Sequence, residues 1–148
     1  MTLLRAARST DAGAVGGILT EFAADTAWMP KLHTAAEDVS HAGKLIERGW
    51  VTVAERAGKV VGFTAYDAPD LDSLYVAAGA RGTGVGTALL IRILQRAETV
   101  ELWTFQANGS AQDFYRAHGF EEIARTDGAR NDEKLPDIQY RWQRETAA

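Results

Sequence analysis

An α/β protein with its helices set between strands is the fold class that the sequence predicts. Short β-rich runs alternate with segments whose apolar residues fall on a helical stripe, and neither a linker nor an internal repeat interrupts the alternation. With 148 residues, 46% of them hydrophobic, the chain is long enough to bury a real core and short enough that one domain spanning residues 1–148 is expected.

The run LLRAA, residues 3–7, reads as the first strand. Ser9, Thr10 and Asp11 then offer N-cap side chains to a helix carrying Val15, Ile18, Leu19 and Phe22 on one stripe, a helix that Gly13, Gly16 and Gly17 weaken. Thr34 and Glu37 have capping-box spacing and open a second helix, which ends at Gly49 after Val39, Ala42, Leu45 and Ile46. WVTVAE and VVGFTAY are strands joined across RAGK, a connection of hairpin length that contains Gly58. LDSLYVA is the next strand and leads directly into RGTGVGTALL, residues 81–90, where a third helix begins and runs to about Ala97. VELWTF follows as a strand, GSAQDFYRAH as a short helix closed by Gly119, and FEEIAR and IQYRW as the last strands.

Composition narrows the function. Sixteen basic against twenty acidic side chains give a net charge of -4, and no Lys or Arg run is dense enough to track a phosphate backbone, so nucleic acid is not expected as a partner. Cysteine is absent, which removes disulfides, thiolate nucleophiles and cysteine-based metal sites. His33, His41 and His118 are too scattered for a zinc spacing, and no metal is expected. The N-terminus has no apolar signal region and no segment approaches a membrane-spanning length, so a soluble cytoplasmic protein without membrane partners is expected.

The glycines of residues 81–90 call for a reason, since each costs roughly 0.5–1 kcal/mol relative to alanine inside a helix. A glycine-rich turn between a strand and a helix exposes backbone N–H groups, uncovered by Cβ atoms, at the positive end of the helix dipole. That arrangement suits an anion. A nucleotide P-loop needs a Lys before its Ser or Thr, whereas Thr87 and Ala88 follow Gly86 here. A dinucleotide turn needs Gly-x-Gly-x-x-Gly, but the spacing is Gly82, Gly84, Gly86, and the nearest downstream acid, Glu101, begins its strand instead of ending it.

Arg81-Gly82-Thr83-Gly84-Val85-Gly86 resembles the Arg/Gln-x-x-Gly-x-Gly/Ala loop of the GNAT superfamily of acyl-CoA-dependent N-acyltransferases. NGSAQDFYRAHGF, residues 108–120, is similar to that family's second signature, Asn-x-x-Ala-x-x-Phe-Tyr-x-x-x-Gly-Phe, at every fixed position. The resemblance covers most of the chain and is weakest at the two N-terminal helices. Ala78 departs from the family's frequent proline before the loop, which bears on loop rigidity. The resemblance implies a mixed, mainly antiparallel central sheet of about six to seven strands flanked by about four helices. It also implies acetyl-CoA as acyl donor, with its pyrophosphate on the amides of Arg81, Gly82, Thr83, Gly84, Val85, Gly86 and Thr87. Its pantetheine arm would lie along Leu74, Tyr75 and Val76 as if it were another strand, with a backbone N–H there polarising the thioester carbonyl.

Acetyl transfer from a thioester to an amine needs a neutral amine, a polarised carbonyl and a proton for the departing thiolate. Tyr115 suits the last task, because a phenol near pH ~10 keeps its proton at neutral pH yet is close in acidity to a thiol near ~8.5; the resemblance gives it the same role. Ala111, Phe114, Tyr115 and His118 also share one helical stripe, which leaves the alternative that Tyr115 is a core aromatic. Asn108 reads as a helix N-cap, to which the resemblance adds a hydrogen bond toward the pantetheine arm. Phe114 reads as packing and Gly119 as the residue after the helix end. Asp72, on the alternating face of Leu74 and Val76, is the candidate general base, beside the reading of a solvated carboxylate at a strand start; Asp70 would share that face if the strand began earlier.

The acceptor side is left open between two regions. The segment DGARNDEKLPD, with Asp132, Glu133 and Asp137, reads as a solvated hairpin loop or as an attractor of a cationic amine. Trp28, Met29 and His33 read as apolar packing or as a surface on which an acceptor stacks. Two functions follow: an N-acetyltransferase that modifies a primary amine of a small molecule or peptide in a ternary complex, or a non-catalytic acyl-CoA-sensing module of the same fold. A homodimer paired through an exposed final strand is the possible assembly.

Overall fold

A computed structural model describes residues 1–145. In chain order its elements are β1 (Leu3–Ala6), α1 (Ala12–Asp25), α2 (Ala35–Glu47), β2 (Val51–Arg56), β3 (Lys59–Asp67), β4 (Asp70–Val76), α3 (Val85–Leu94), β5 (Thr99–Phe105), α4 (Gly109–Ala117), β6 (Glu121–Thr126) and β7 (Asp137–Gln143). The seven strands form one sheet in the order β1-β2-β3-β4-β5-β7-β6. Every neighbouring pair is antiparallel except β4 with β5, which run parallel and meet at the single register pair Asp70 and Glu101. Among the described residues no helix is long and apolar enough to cross a membrane.

Both faces of the sheet are covered, and the period of two shows how. Val51, Val53, Phe63 and Ala65 pack against Val15 and Ile18 of α1 and Ala42 and Leu45 of α2. Ala54 points the other way, against Val85 and Leu89 of α3. Successive residues Val53 and Ala54 are therefore both fully buried, as happens only where a strand has helices above and below it. A second core joins Val100, Leu102, Ile138 and Tyr140 of β5 and β7 to Leu90 of α3 and Tyr115 of α4. Each large apolar side chain so buried contributes about 1.5–3 kcal/mol.

Local signals place most boundaries. Thr34 caps α2 by accepting the Glu37 N–H at 3.1 Å while Glu37 accepts the Thr34 N–H at 3.0 Å, the reciprocal box that the spacing predicts. Gly49 (φ 78°) and Gly119 (φ 88°) take the left-handed conformation just beyond α2 and α4.

Four expectations need correction. No side chain from Ser9 to Asp11 caps α1: Asp11 accepts the Arg8 N–H at 2.7 Å and two bonds from the Arg5 guanidinium, at 2.8 and 3.1 Å. Gly16 is not a weakness of α1 but a requirement, since a Cβ there would stand 2.6 Å from the Val39 backbone where α1 crosses α2. α3 stops at Leu94 and a turn continues to Ala97, with the Gln95 and Ala97 N–H groups donating to the Ile91 and Ile93 carbonyls, while Arg144, beyond β7, donates to the Leu94 and Ala97 carbonyls at 2.6 and 3.0 Å. The final strand has no free edge: β7 lies between β5 and β6, so the edges of the sheet are β1 and β6.

Arg5 also pairs with Glu55 at 2.7 Å, so one guanidinium ties β1, β2 and the entrance of α1 together. Its bonds hold the Asp11 carboxyl below its ordinary value of 3.8. A carboxyl lowered in the folded state stabilises the fold above its unfolded pKa and loses that contribution as pH falls through the folded one. Asp11→Ala is expected to cost about 1–2 kcal/mol at neutral pH in urea denaturation, after allowance for solvent screening. The difference from wild type should shrink as the pH falls below about 4.

Candidate active site

The site follows from the parting of β4 and β5. The Glu101 N–H donates to the Pro69 carbonyl at 2.8 Å, and beyond that point the strands diverge, leaving Leu74, Tyr75 and Val76 without a partner in β5. The wedge between them is a groove of about 630 Å³ lined by β4, the glycine loop, the start of α4 and the end of α1. A larger cleft of about 780 Å³ opens at the other end of α3, beside Thr64, Arg92 and Arg96, and holds none of the residues that the sequence singles out.

At one end of the groove the chain turns through the exposed Gly82 (φ 71°) and Gly84 (φ 90°) into α3. Both φ values lie in the left-handed region that favours glycine. The first helical bond is donated by the Ala88 N–H to the Gly84 carbonyl, at 3.0 Å. The N–H groups from Gly82 to Thr87 have no acceptor among the described residues, as expected of a helix start that caps nothing internally. Gly86 serves a different need: a Cβ there would stand 3.6 Å from both Phe114 and Val76, inside the mouth of the groove. An unobstructed row of donors at a helix N-terminus fits a pyrophosphate, and the narrow slot between Gly86, Val76 and Phe114 fits the thin chain that would lead from it.

Arg81, Gly82, Gly84, Val85, Gly86 and Thr87 all line this groove. Thr83 does not: its hydroxyl donates to the Ala80 carbonyl and accepts from Arg56, so its side chain is held on the outer side of the loop. Arg81 donates to the Val76 carbonyl at 3.3 Å and so braces the loop against the end of β4. Ala78, which stands where proline is frequent in the family, donates its N–H to the Glu21 carboxylate at 2.8 Å, a bond that proline lacks the hydrogen to make.

Asn108 and Tyr115 face this loop across the groove. The Asn108 side-chain oxygen caps α4 by accepting the Ala111 N–H at 3.2 Å. Tyr115 is only 8% exposed, yet it lines the groove; the buried hydroxyl left without a partner among the described residues is that of Tyr140, in the same core cluster. Burial pushes the Tyr115 phenol well above the ordinary range, with a smaller contribution from the neighbouring Tyr75. Tyr75 is pushed up to about 12, chiefly by burial and then by the charges of Asp72 and Glu133. Phe114, read as packing, both packs edge-on against Tyr115 and lines the groove.

Asp72 stands apart from these residues. It is exposed, accepts the Ser73 hydroxyl at 2.7 Å and does not line the groove, although its charge reaches the Tyr75 phenol. The far end of the groove is aromatic, lined by Phe22, Trp28 and Tyr75: Phe22 packs edge-on to Trp28 (6.2 Å) and Tyr75 (5.0 Å), and Phe105, outside the groove, packs edge-on behind Trp28 (5.6 Å). Sequence reasoning named Trp28 but placed Phe22 only on a core stripe and Phe105 only in a strand. Their shared side depends on how α1 lies over the divergent strands, which no local pattern encodes.

Comparison with known proteins agrees with this geometry. Residues 47–122 match the family model described as the acetyltransferase (GNAT) domain. The chain is 31% identical over 120 residues to a probable N-acetyltransferase of Mycobacterium tuberculosis, covering 74% of this chain and 67% of that protein. It is 32% identical over 115 residues to the blasticidin-S acetyltransferase of Streptomyces morookaense, covering 62% of this chain and 82% of the relative. A putative acetyltransferase from Salmonella typhimurium, solved with its cofactor acetyl-CoA, has the same fold, with a TM-score of 0.75 at 20% identity over 100% of this chain and 97% of that one. The chain belongs to the GNAT family of acetyltransferases.

Proposed function

We propose that this protein is an N-acetyltransferase that moves the acetyl group of acetyl-CoA to a primary amine of a small molecule or peptide, by direct attack within a ternary complex. The observation that carries the proposal is the row of unpartnered amides from Gly82 to Thr87 and the Tyr115 phenol, lining one groove. The first can hold a pyrophosphate and the second can give a proton, which are the two ends of a coenzyme A thioester.

When bound, the donor supplies an activated acetyl group and a thiol leaving group. The main chain of Leu74, Tyr75 and Val76 offers strand-type hydrogen bonds along the groove and an N–H for the carbonyl oxygen as it gains charge. Tyr115 holds its proton at the leaving sulfur: a phenol raised by burial stays protonated across the working range and passes the proton on only when thiolate forms beside it. Asp72, exposed near Tyr75, receives the ammonium proton of the acceptor through water at the solvent mouth. Asn108 keeps its side-chain amide for the groove while its oxygen caps α4. The aromatic wall of Phe22 and Trp28 forms the acceptor side and packs against the apolar part of the amine.

The proposal is tested by following acetyl-CoA consumption with a panel of amines that includes blasticidin S, amino acids, polyamines and peptide N-termini. Acetylation of one of them is expected; tight acetyl-CoA binding without turnover on any would favour the sensing module instead. Tyr115→Phe should lower kcat by about 100-fold with the acetyl-CoA dissociation constant unchanged, and the ratio to wild type should stay constant from about pH 6 to about pH 9. Unchanged turnover removes Tyr115 from the mechanism. Asp72→Asn should lower kcat/KM for the amine by about tenfold and alter its pH dependence; an unaltered profile removes Asp72 as base. Gly86→Leu, which extends past a Cβ already in van der Waals contact with Phe114 and Val76, should weaken acetyl-CoA binding by more than about tenfold, with the fold of the variant checked by thermal denaturation.

A further inference from the structure

We propose that Arg56, the last residue of β2, is a positioning residue for the acyl donor: it fixes the glycine loop from behind and strengthens the loop amide that meets the anion. This rests on the reading that the amides of Gly82–Thr87 receive the pyrophosphate. The Arg56 guanidinium donates to the Thr83 carbonyl at 2.9 Å (Nη2), to the Thr83 hydroxyl at 2.6 Å (Nη1) and to the Thr2 hydroxyl at 2.7 Å (Nε). The Thr83 hydroxyl in turn donates to the Ala80 carbonyl. Thr83 is thus pinned by three hydrogen bonds although both its neighbours, Gly82 and Gly84, have the greatest backbone freedom of any residue type. Among the described residues no carboxylate pairs with Arg56, so its charge behind the loop is not neutralised.

The Thr83 carbonyl and the Gly84 N–H belong to one peptide group. A charged donor on the carbonyl oxygen draws density along the amide and makes the N–H a stronger donor toward an anion. Holding Thr83 in place also removes the ordering cost that a free glycine loop would incur on binding. Neither Arg56 nor Thr83 lines the groove, so Arg56 acts through the loop and not on the ligand.

Isothermal titration calorimetry with acetyl-CoA and steady-state kinetics on wild type, Arg56→Gln, Arg56→Lys and Thr2→Ala test this. Arg56→Gln should raise the dissociation constant and the KM for acetyl-CoA by about tenfold, with kcat at saturating donor changed by less than about twofold. Arg56→Lys should fall between, since one ammonium replaces a forked pair of donors. Thr2→Ala, which removes only the strand anchorage, should bind like wild type. If Arg56→Gln fails to fold, Arg56→Lys carries the test with a shift of about threefold. Equal affinity of wild type and the Arg56 variants overturns the proposal alone, as does an equal loss in Thr2→Ala, which would make the effect one of strand anchoring. Absence of wild-type binding overturns the reading of the glycine loop and this proposal with it.

Discussion

One constraint organises the molecule: β4 and β5 are parallel neighbours that meet at a single register pair. An antiparallel pair joined by a hairpin can zip along its whole length, but these two strands are separated in sequence by the glycine loop and α3 and are held together at one end only. Twist then carries their other ends apart. The wedge so formed exposes main chain on β4, opens one face of Tyr115 and aims the start of α3 at the gap. Without the divergence there is a sheet and a core, but no groove beside the glycine loop.

The same wedge gathers the groups that a ligand would meet. Free amides, the left-handed glycines of the loop and the Tyr115 phenol all border it. Here they face one space, and the surrounding core holds them in place: Val85 and Leu89 pack α3 onto Ala54, and Phe114 and Phe120 bracket Tyr115. Polar tethers complete the frame, with Arg81 on Val76, Glu21 on Ala78 and Arg56 on Thr83. Rigid support for a small set of polar groups is the arrangement that lets a site act without reorganising.

Much of this was legible in the sequence, and the division has a physical basis. Signals acting over a few residues were readable: the Thr34–Glu37 box, the glycines after α2 and α4, the hairpin at Gly58, the glycine loop and the Asn108–Phe120 signature all lie where the spacing puts them. Signals acting across the chain were not. Arg144 caps the Leu94 carbonyl at the end of α3 from fifty positions away, Arg5 takes Asp11 from its expected capping role, and Gly16 answers to the Val39 backbone of another helix. Thr83 lies in a binding motif by sequence but is turned outward by Arg56, a residue that no motif includes. The order of the last strands was hidden for the same reason, since only pairing across the sheet puts β7 between β5 and β6.

The measurement that bears most directly on the glycine loop is a ¹⁵N-resolved NMR titration of the protein with acetyl-CoA, following the amides of Gly82, Gly84 and Gly86. Donation to a pyrophosphate should shift these three resonances strongly and saturably downfield, together with neighbours on the Val76 side of the groove and little elsewhere. Saturable binding that leaves them in place while moving residues around Thr64, Arg92 and Arg96 would put the donor in the other cleft and contradict the reading of the groove.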